Sequence, residues 1–186
     1  MMAILLPALF SFALITMLPA QTCREVVRDA SGRVVQTIER QKQASGTERA
    51  VIRDASGRIT GTATTRASGS TTQTQYRDAS GRLAGSATTH GYASGSARTT
   101  YRDASGRMAG SADTSKVAGT STRTQFRDAS RRFAGSQTTS GSPSGSFNGT
   151  QRDASGWLTG SSTGSGKCQG VTPVPPTPVL PANAKR

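Results

Sequence analysis

The sequence predicts an all-β repeat protein: six β-hairpin units of about 25 residues forming an antiparallel meander that closes into a barrel-like ring. Three observations lead there. The motif Arg-Asp-Ala-Ser recurs with its Asp at Asp29, Asp54, Asp78, Asp103, Asp128 and Asp153, at spacings of 25, 24, 25, 25 and 25 residues. Fixed self-similarity of this length marks units that bury surface only against their neighbours. After the first 20 residues, Leu, Ile, Val and Phe number only 18 of 166, which excludes a two-layer domain with a thick aliphatic core. Two cysteines, Cys23 and Cys168, bracket the repeats.

Each unit contains the elements of a hairpin. Asp-Ala-Ser-Gly suits a type I turn, in which Asp bonds back to the turn amides and Gly accepts a positive φ. The glycines are Gly32, Gly57, Gly81, Gly106 and Gly156; the fifth unit has Arg131 instead, at an expected cost of about 1 kcal/mol if the turn is kept. Flanking residues are expected to pair across each hairpin: Val27 with Val34, Ile52 with Ile59, Tyr76 with Leu83, Tyr101 with Met108, Phe126 with Phe133 and Gln151 with Leu158. Beyond them come Thr, Ser, Ala and Gln, which suit strands by β-branching or small size.

A second turn is expected about 15 residues after each Asp, at Ala44-Ser45-Gly46, Ala67-Ser68-Gly69, Ala93-Ser94-Gly95, Ala118-Gly119 and Pro143-Ser144-Gly145. Two strands and two turns per unit give about twelve short strands. A ring leaves no unpaired edge; a β-solenoid of six stacked coils is the alternative.

Three segments follow. Residues 1–20 carry no charge and 16 hydrophobic residues, and read as a signal peptide cleaved after Ala20; an uncleaved membrane anchor is the rival reading. Residues 21–170 form the six-repeat β domain, and residues 171–186, with five prolines, an extended disordered tail. An even cysteine count behind a signal suggests a Cys23–Cys168 disulfide in an oxidising compartment. If the sixth unit lies beside the first, that bridge replaces a missing turn and closes the ring. The protein is accordingly expected to be secreted or periplasmic, at a bacterial envelope.

The formal net charge of +13 favours anionic partners, whether glycan, lipid head groups or nucleic acid. Arginine brackets the turns: Arg28 and Arg33, Arg53 and Arg58, Arg77 and Arg82, Arg102 and Arg107, Arg127 and Arg132, then Arg152 opposite Trp157. Guanidinium groups bind phosphate, sulfate or carboxylate in forked pairs, so these eleven residues are candidate anion-binding groups. Mutual neutralisation of Arg and Asp at a solvated turn is the competing account.

Catalysis finds little support. His90 is the single histidine, in His90-Gly91-Tyr92, and six identical Asp turns look structural. No catalytic residue, metal ligand or cofactor is assigned, and no small-molecule substrate is inferred. The expected function is an exported, non-enzymatic structural or binding protein. The alternatives are a self-assembling, curli-like matrix component and an ice-binding-type surface, the latter suggested by Thr62/Thr64, Thr72/Thr74 and Thr122/Thr124.

The segment Tyr101-Arg102-Asp103-Ala104-Ser105-Gly106-Arg107-Met108, with its counterparts, resembles the YD repeats of Rhs-type bacterial surface and toxin-delivery proteins. The resemblance covers Val27–Gly160. It implies β-hairpin repeats, a bacterial origin and an exported setting. This chain departs from the pattern by placing Arg between the aromatic residue and Asp, and six units are too few for the family's enclosing shell, so encapsulation is not carried over.

Overall fold

The computed structural model describes residues 21–166 apart from Pro143. The proposed signal, Cys168 and the Pro-rich tail lie outside the described residues. Twelve strands follow one another: β1 (Gln21–Asp29), β2 (Val34–Lys42), β3 (Glu48–Asp54), β4 (Ile59–Ser68), β5 (Thr71–Asp78), β6 (Leu83–Gly91), β7 (Ala97–Asp103), β8 (Met108–Lys116), β9 (Ser121–Asp128), β10 (Phe133–Gly141), β11 (Phe147–Asp153) and β12 (Leu158–Gly166). Each pairs antiparallel with its predecessor, and β12 pairs with β1, from Cys23 opposite Gly166 to Asp29 opposite Gly160. The meander is a closed barrel, and the solenoid is excluded.

One register rule repeats around the wall. The residue two before each Asp faces the residue seven after it, and that residue faces the Asp of the next unit. Tyr76 thus pairs with Gly85, and Gly85 with Asp103; Gln151 pairs with Gly160, and Gly160 with Asp29 across the seam. Each hairpin therefore steps two residues along the barrel axis. Six such steps over twelve strands make the total stagger equal to the strand number, the ratio that in closed barrels gives a strand tilt of about 36°.

The expected pairing of Tyr76 with Leu83, and its equivalents, does not form. The three-residue loop sets Leu83 opposite Arg77, and a bulge then advances Tyr76 to Gly85. The same shift occurs in the other five hairpins, so Val27, for example, faces Gln36 and Arg28 faces Val34. The physical reason is space. The members of the expected pairs divide between the two faces: Tyr76, Tyr101 and Phe126 point into the core, while Leu83, Met108 and Phe133 stay exposed. In the interior a glycine stands opposite each ring.

That glycine also meets backbone. A Cβ on Gly61 or Gly85 would come within 2.6 Å of the carbonyl oxygen of Arg77 or Arg102 in the next unit. Gly135 and Gly160 face the same obstacle from Arg152 and Arg28. Five of the six units hold glycine here; the first has Gln36. These glycines were not singled out from the sequence, although their constant place seven after the Asp was the available signal.

The interior is thinly apolar, as the composition requires. Ile38, Ile52, Tyr76, Tyr101 and Phe126 form one cluster with Ala50, Ala63, Ala87 and Ala112. Burial pushes the Tyr76 phenol up to about 12 against the opposing pull of the Arg40 guanidinium. Three pairs of threonine hydroxyls bond across the interior, Thr65 with Thr74 at 2.9 Å, Thr89 with Thr99 at 2.8 Å and Thr114 with Thr124 at 2.9 Å. Thr74 and Thr124 are thus interior groups. Where other units have Thr, Ala, Gly or Phe, the first two place charge: buried Arg40 lies 3.3 Å from both Glu25 and Glu48. An ion pair taken out of water contributes little net stability, but removing one partner strands the other.

The second set of turns falls largely where expected. Gly46, Gly95 and Gly145 take positive φ in three-residue loops. Ala67 and Ser68 instead remain in β4, and the turn shrinks to Gly69-Ser70, with Ser68 paired to Thr71. That lost residue accounts for the single spacing of 24.

Two measurements check this account. Gly85→Ala should destabilise the barrel by about 1–3 kcal/mol in urea unfolding, because its methyl group meets fixed backbone. Arg131 keeps the turn at φ 65°, so Arg131→Gly should stabilise by about 1 kcal/mol in the same assay.

Candidate anion-binding rim

Closure of an antiparallel meander puts alternate turns at opposite ends. All six Asp turns share one rim; the remaining five loops, with Gln21 and Gly166, lie at the other. The rim carries Asp29, Asp54, Asp78, Asp103, Asp128 and Asp153 against twelve arginines, Arg131 being the twelfth.

Every Asp turn is built alike. The amide of Gly32 donates to the Asp29 carbonyl at 3.0 Å, and that of Asp29 to the Arg33 carbonyl at 2.9 Å. The Asp29 carboxylate accepts from the Ser31 amide at 2.9 Å, the Ser31 hydroxyl at 2.7 Å and the Arg33 amide at 3.0 Å. Asp54, Asp78 and Asp103 repeat all three bonds. With Arg131 in place of glycine, Asp128 keeps the bond from the Arg132 amide.

The two arginines of each turn have different tasks. The one before Asp folds over its own turn: Arg77 Nη1 donates to the Gly81 carbonyl at 2.8 Å, Arg102 to Gly106 at 2.8 Å and Arg152 to Gly156 at 2.8 Å. Arg28, Arg53 and Arg127 do the same, the last to Arg131. The arginine after the turn, at Arg33, Arg58, Arg82, Arg107 and Arg132, contributes its backbone amide to Asp but leaves its guanidinium exposed. None of these five forms an ion pair within 4.0 Å among the described residues; the four pairs there join Arg40, Arg53 and Arg98 to carboxylates elsewhere on the wall or in the core. Arg33, Arg58, Arg82 and Arg107 nevertheless act through space on their own turn carboxylates, lowering the pKa of Asp29, Asp54, Asp78 and Asp103. The eleven candidates from the sequence are brought together at one end, but divided into six turn clamps and five outward cations.

The sixth unit departs from the pattern. Trp157 replaces the free arginine and is 76% exposed, while its amide still donates to Asp153 at 3.0 Å. Next to five of the six turns an apolar residue also points outward: Ile59, Leu83, Met108, Phe133 and Leu158 are each between 37% and 45% exposed.

The other features lie away from this rim. A groove of about 640 Å³ opens near the seam at the opposite end, lined by Thr22, Cys23, Arg40 and Gly166 among others. His90 is exposed at the wall, its Nδ1 3.1 Å from the Thr71 hydroxyl. The buried Glu25–Arg40–Glu48 cluster was not foreseen; charged residues at inward positions, where the other units have Thr, Ala, Gly or Phe, were its trace in the sequence. No protein-family model, curated protein or solved structure matches this chain.

Hydrogen bonds hold the carboxyls of Asp29, Asp54, Asp78 and Asp103 below the usual carboxylate range. For Asp29, Asp54 and Asp103 the largest contribution is the serine hydroxyl; for Asp78 it is the Arg82 amide. A carboxyl depressed in the folded state adds stability above its unfolded pKa and loses it as pH falls through the folded one. The melting temperature should thus be level from neutral pH down to about 5 and fall below about 4. Ser56→Ala should make that acid loss smaller, which thermal unfolding at pH 7 and pH 3 would measure.

Proposed function

We propose that this is an exported, non-enzymatic binding protein that holds anionic polymers on its Asp-turn rim. The observation that carries the reading is the set of five exposed guanidiniums on one closed end. Repeated cations on a rigid frame suit a repeated anion, because each added contact is made at little further entropic cost. Closure of all twelve strands removes the free edge from which a stacked fibre would grow, which favours binding over self-assembly.

Export is supported by the apolar stretch before Ala20. A Cys23–Cys168 bridge belongs to the same reading. Cys23 is buried in the seam opposite Gly166, two residues before Cys168 in the chain. The YD-like repeats add a bacterial envelope or extracellular setting.

The test separates the two kinds of arginine. Arg58→Ala, Arg82→Ala and Arg107→Ala combined should weaken binding to inorganic polyphosphate and flatten its salt dependence by about 0.7 in slope per residue removed. Arg77→Ala should act mainly on thermal stability. Unchanged salt dependence in the triple variant would overturn the rim as the binding surface.

A further inference from the structure

The rim combines charge with apolar surface in a particular order. Ile59, Leu83, Met108, Phe133 and Leu158 lie just below the turns on the outer wall, each opposite the clamp arginine of its own hairpin, as Leu83 is opposite Arg77. Trp157 joins them at the sixth turn, 76% exposed. The result is a collar in which an apolar side chain and a guanidinium alternate in five of the six hairpins, the first having half-buried Val34 at that place. It runs around a perimeter of about 70 Å, for twelve strands about 4.8 Å apart tilted about 36°.

This order discriminates among anionic partners. For a membrane, apolar groups must lead and charges trail; here the charged tips project beyond the collar, so Asp and Arg would reach the hydrocarbon before Leu83 or Met108 did. Single-stranded nucleic acid stacks its bases on aromatic rings, yet the collar has only Phe133 and Trp157 among mostly aliphatic members. A charged polysaccharide presents both chemistries along one thread: the C–H faces of its sugar rings for the aliphatic side chains, and its sulfate or carboxylate groups for the arginines.

We infer that the collar and the free arginines form a belt for a linear anionic polysaccharide wound around the outside of the barrel. This rests on the anion-binding reading and adds the substrate class. Affinity should climb with chain length until the polymer spans the belt outside the side chains, about 100 Å for a backbone perimeter of about 70 Å, and then level off.

Trp157 is the single tryptophan of the chain, so its fluorescence reports on the collar itself. The experiment titrates the full secreted protein with dextran sulfate, inorganic polyphosphate, single-stranded oligonucleotide and anionic phospholipid vesicles. Dextran sulfate should shift the Trp157 emission to the blue. Leu83→Gln with Met108→Gln should lower its affinity about fivefold or more, leaving polyphosphate binding within about twofold. Trp157→Arg restores the residue of the other five units, so it folds as they do. It should strengthen polyphosphate binding more than dextran sulfate binding. Collar variants that leave dextran sulfate affinity unchanged, or tighter collar-dependent binding of vesicles or oligonucleotide, would overturn the polysaccharide assignment while the cationic rim stands. Binding of neither dextran sulfate nor polyphosphate would remove the anion reading, and this inference with it.

Discussion

The two-residue step between successive hairpins is the constraint on which the molecule depends. Its tightest points are Gly61, Gly85, Gly135 and Gly160, each lying against a carbonyl of the neighbouring unit; the first unit makes the same step with Gln36 in that place. A side chain at Gly85 would push two hairpins apart at their closest approach. Because the step is the same six times, the twelfth strand arrives beside the first in register with no adjustment at the seam. Closure then supplies what the sparse core cannot. A sheet whose large buried apolar groups, among the described residues, are Ile38, Ile52, Tyr76, Tyr101 and Phe126 has little apolar burial per residue. A closed ladder leaves each strand hydrogen-bonded on both sides.

The turn chemistry and the binding chemistry share residues but divide atoms. Asp29 and its equivalents use their carboxylates on backbone amides and a serine hydroxyl, so they are turn groups first. The arginine before each Asp spends a guanidinium nitrogen on the turn carbonyl, whereas the one after it gives only its amide. The outer face of the wall is mostly Thr, Ser, Gln and Arg, with a collar of partly exposed apolar residues beside the Asp turns and Tyr92 and Val117 exposed at the opposite end.

Much of this was legible from residue order. The 25-residue recurrence gave the hairpins, Asp-Ala-Ser-Gly gave the turn, and the Gly-to-Arg exchange located the strained residue that the structure shows at Arg131. The pairing of Tyr76 with Leu83 was misread, since a bulge costs one residue and leaves no mark of its own in a local pattern. Glu25, Arg40 and Glu48 escaped notice because they come from three different strands, and inwardness on a strand depends on a register that the bulge resets.

By itself, the sequence determined the unit: its length, its turn chemistry, its alternating strands and its surplus of arginine, all consequences of bonds between near neighbours. Only the tertiary structure decided how units meet. The stagger depends on contacts between residues of different hairpins, such as Gly85 against Arg102, and no spacing within one unit encodes them. The same holds for the rim, where arginines scattered over more than a hundred residues of chain become one charged ring because the sheet closes.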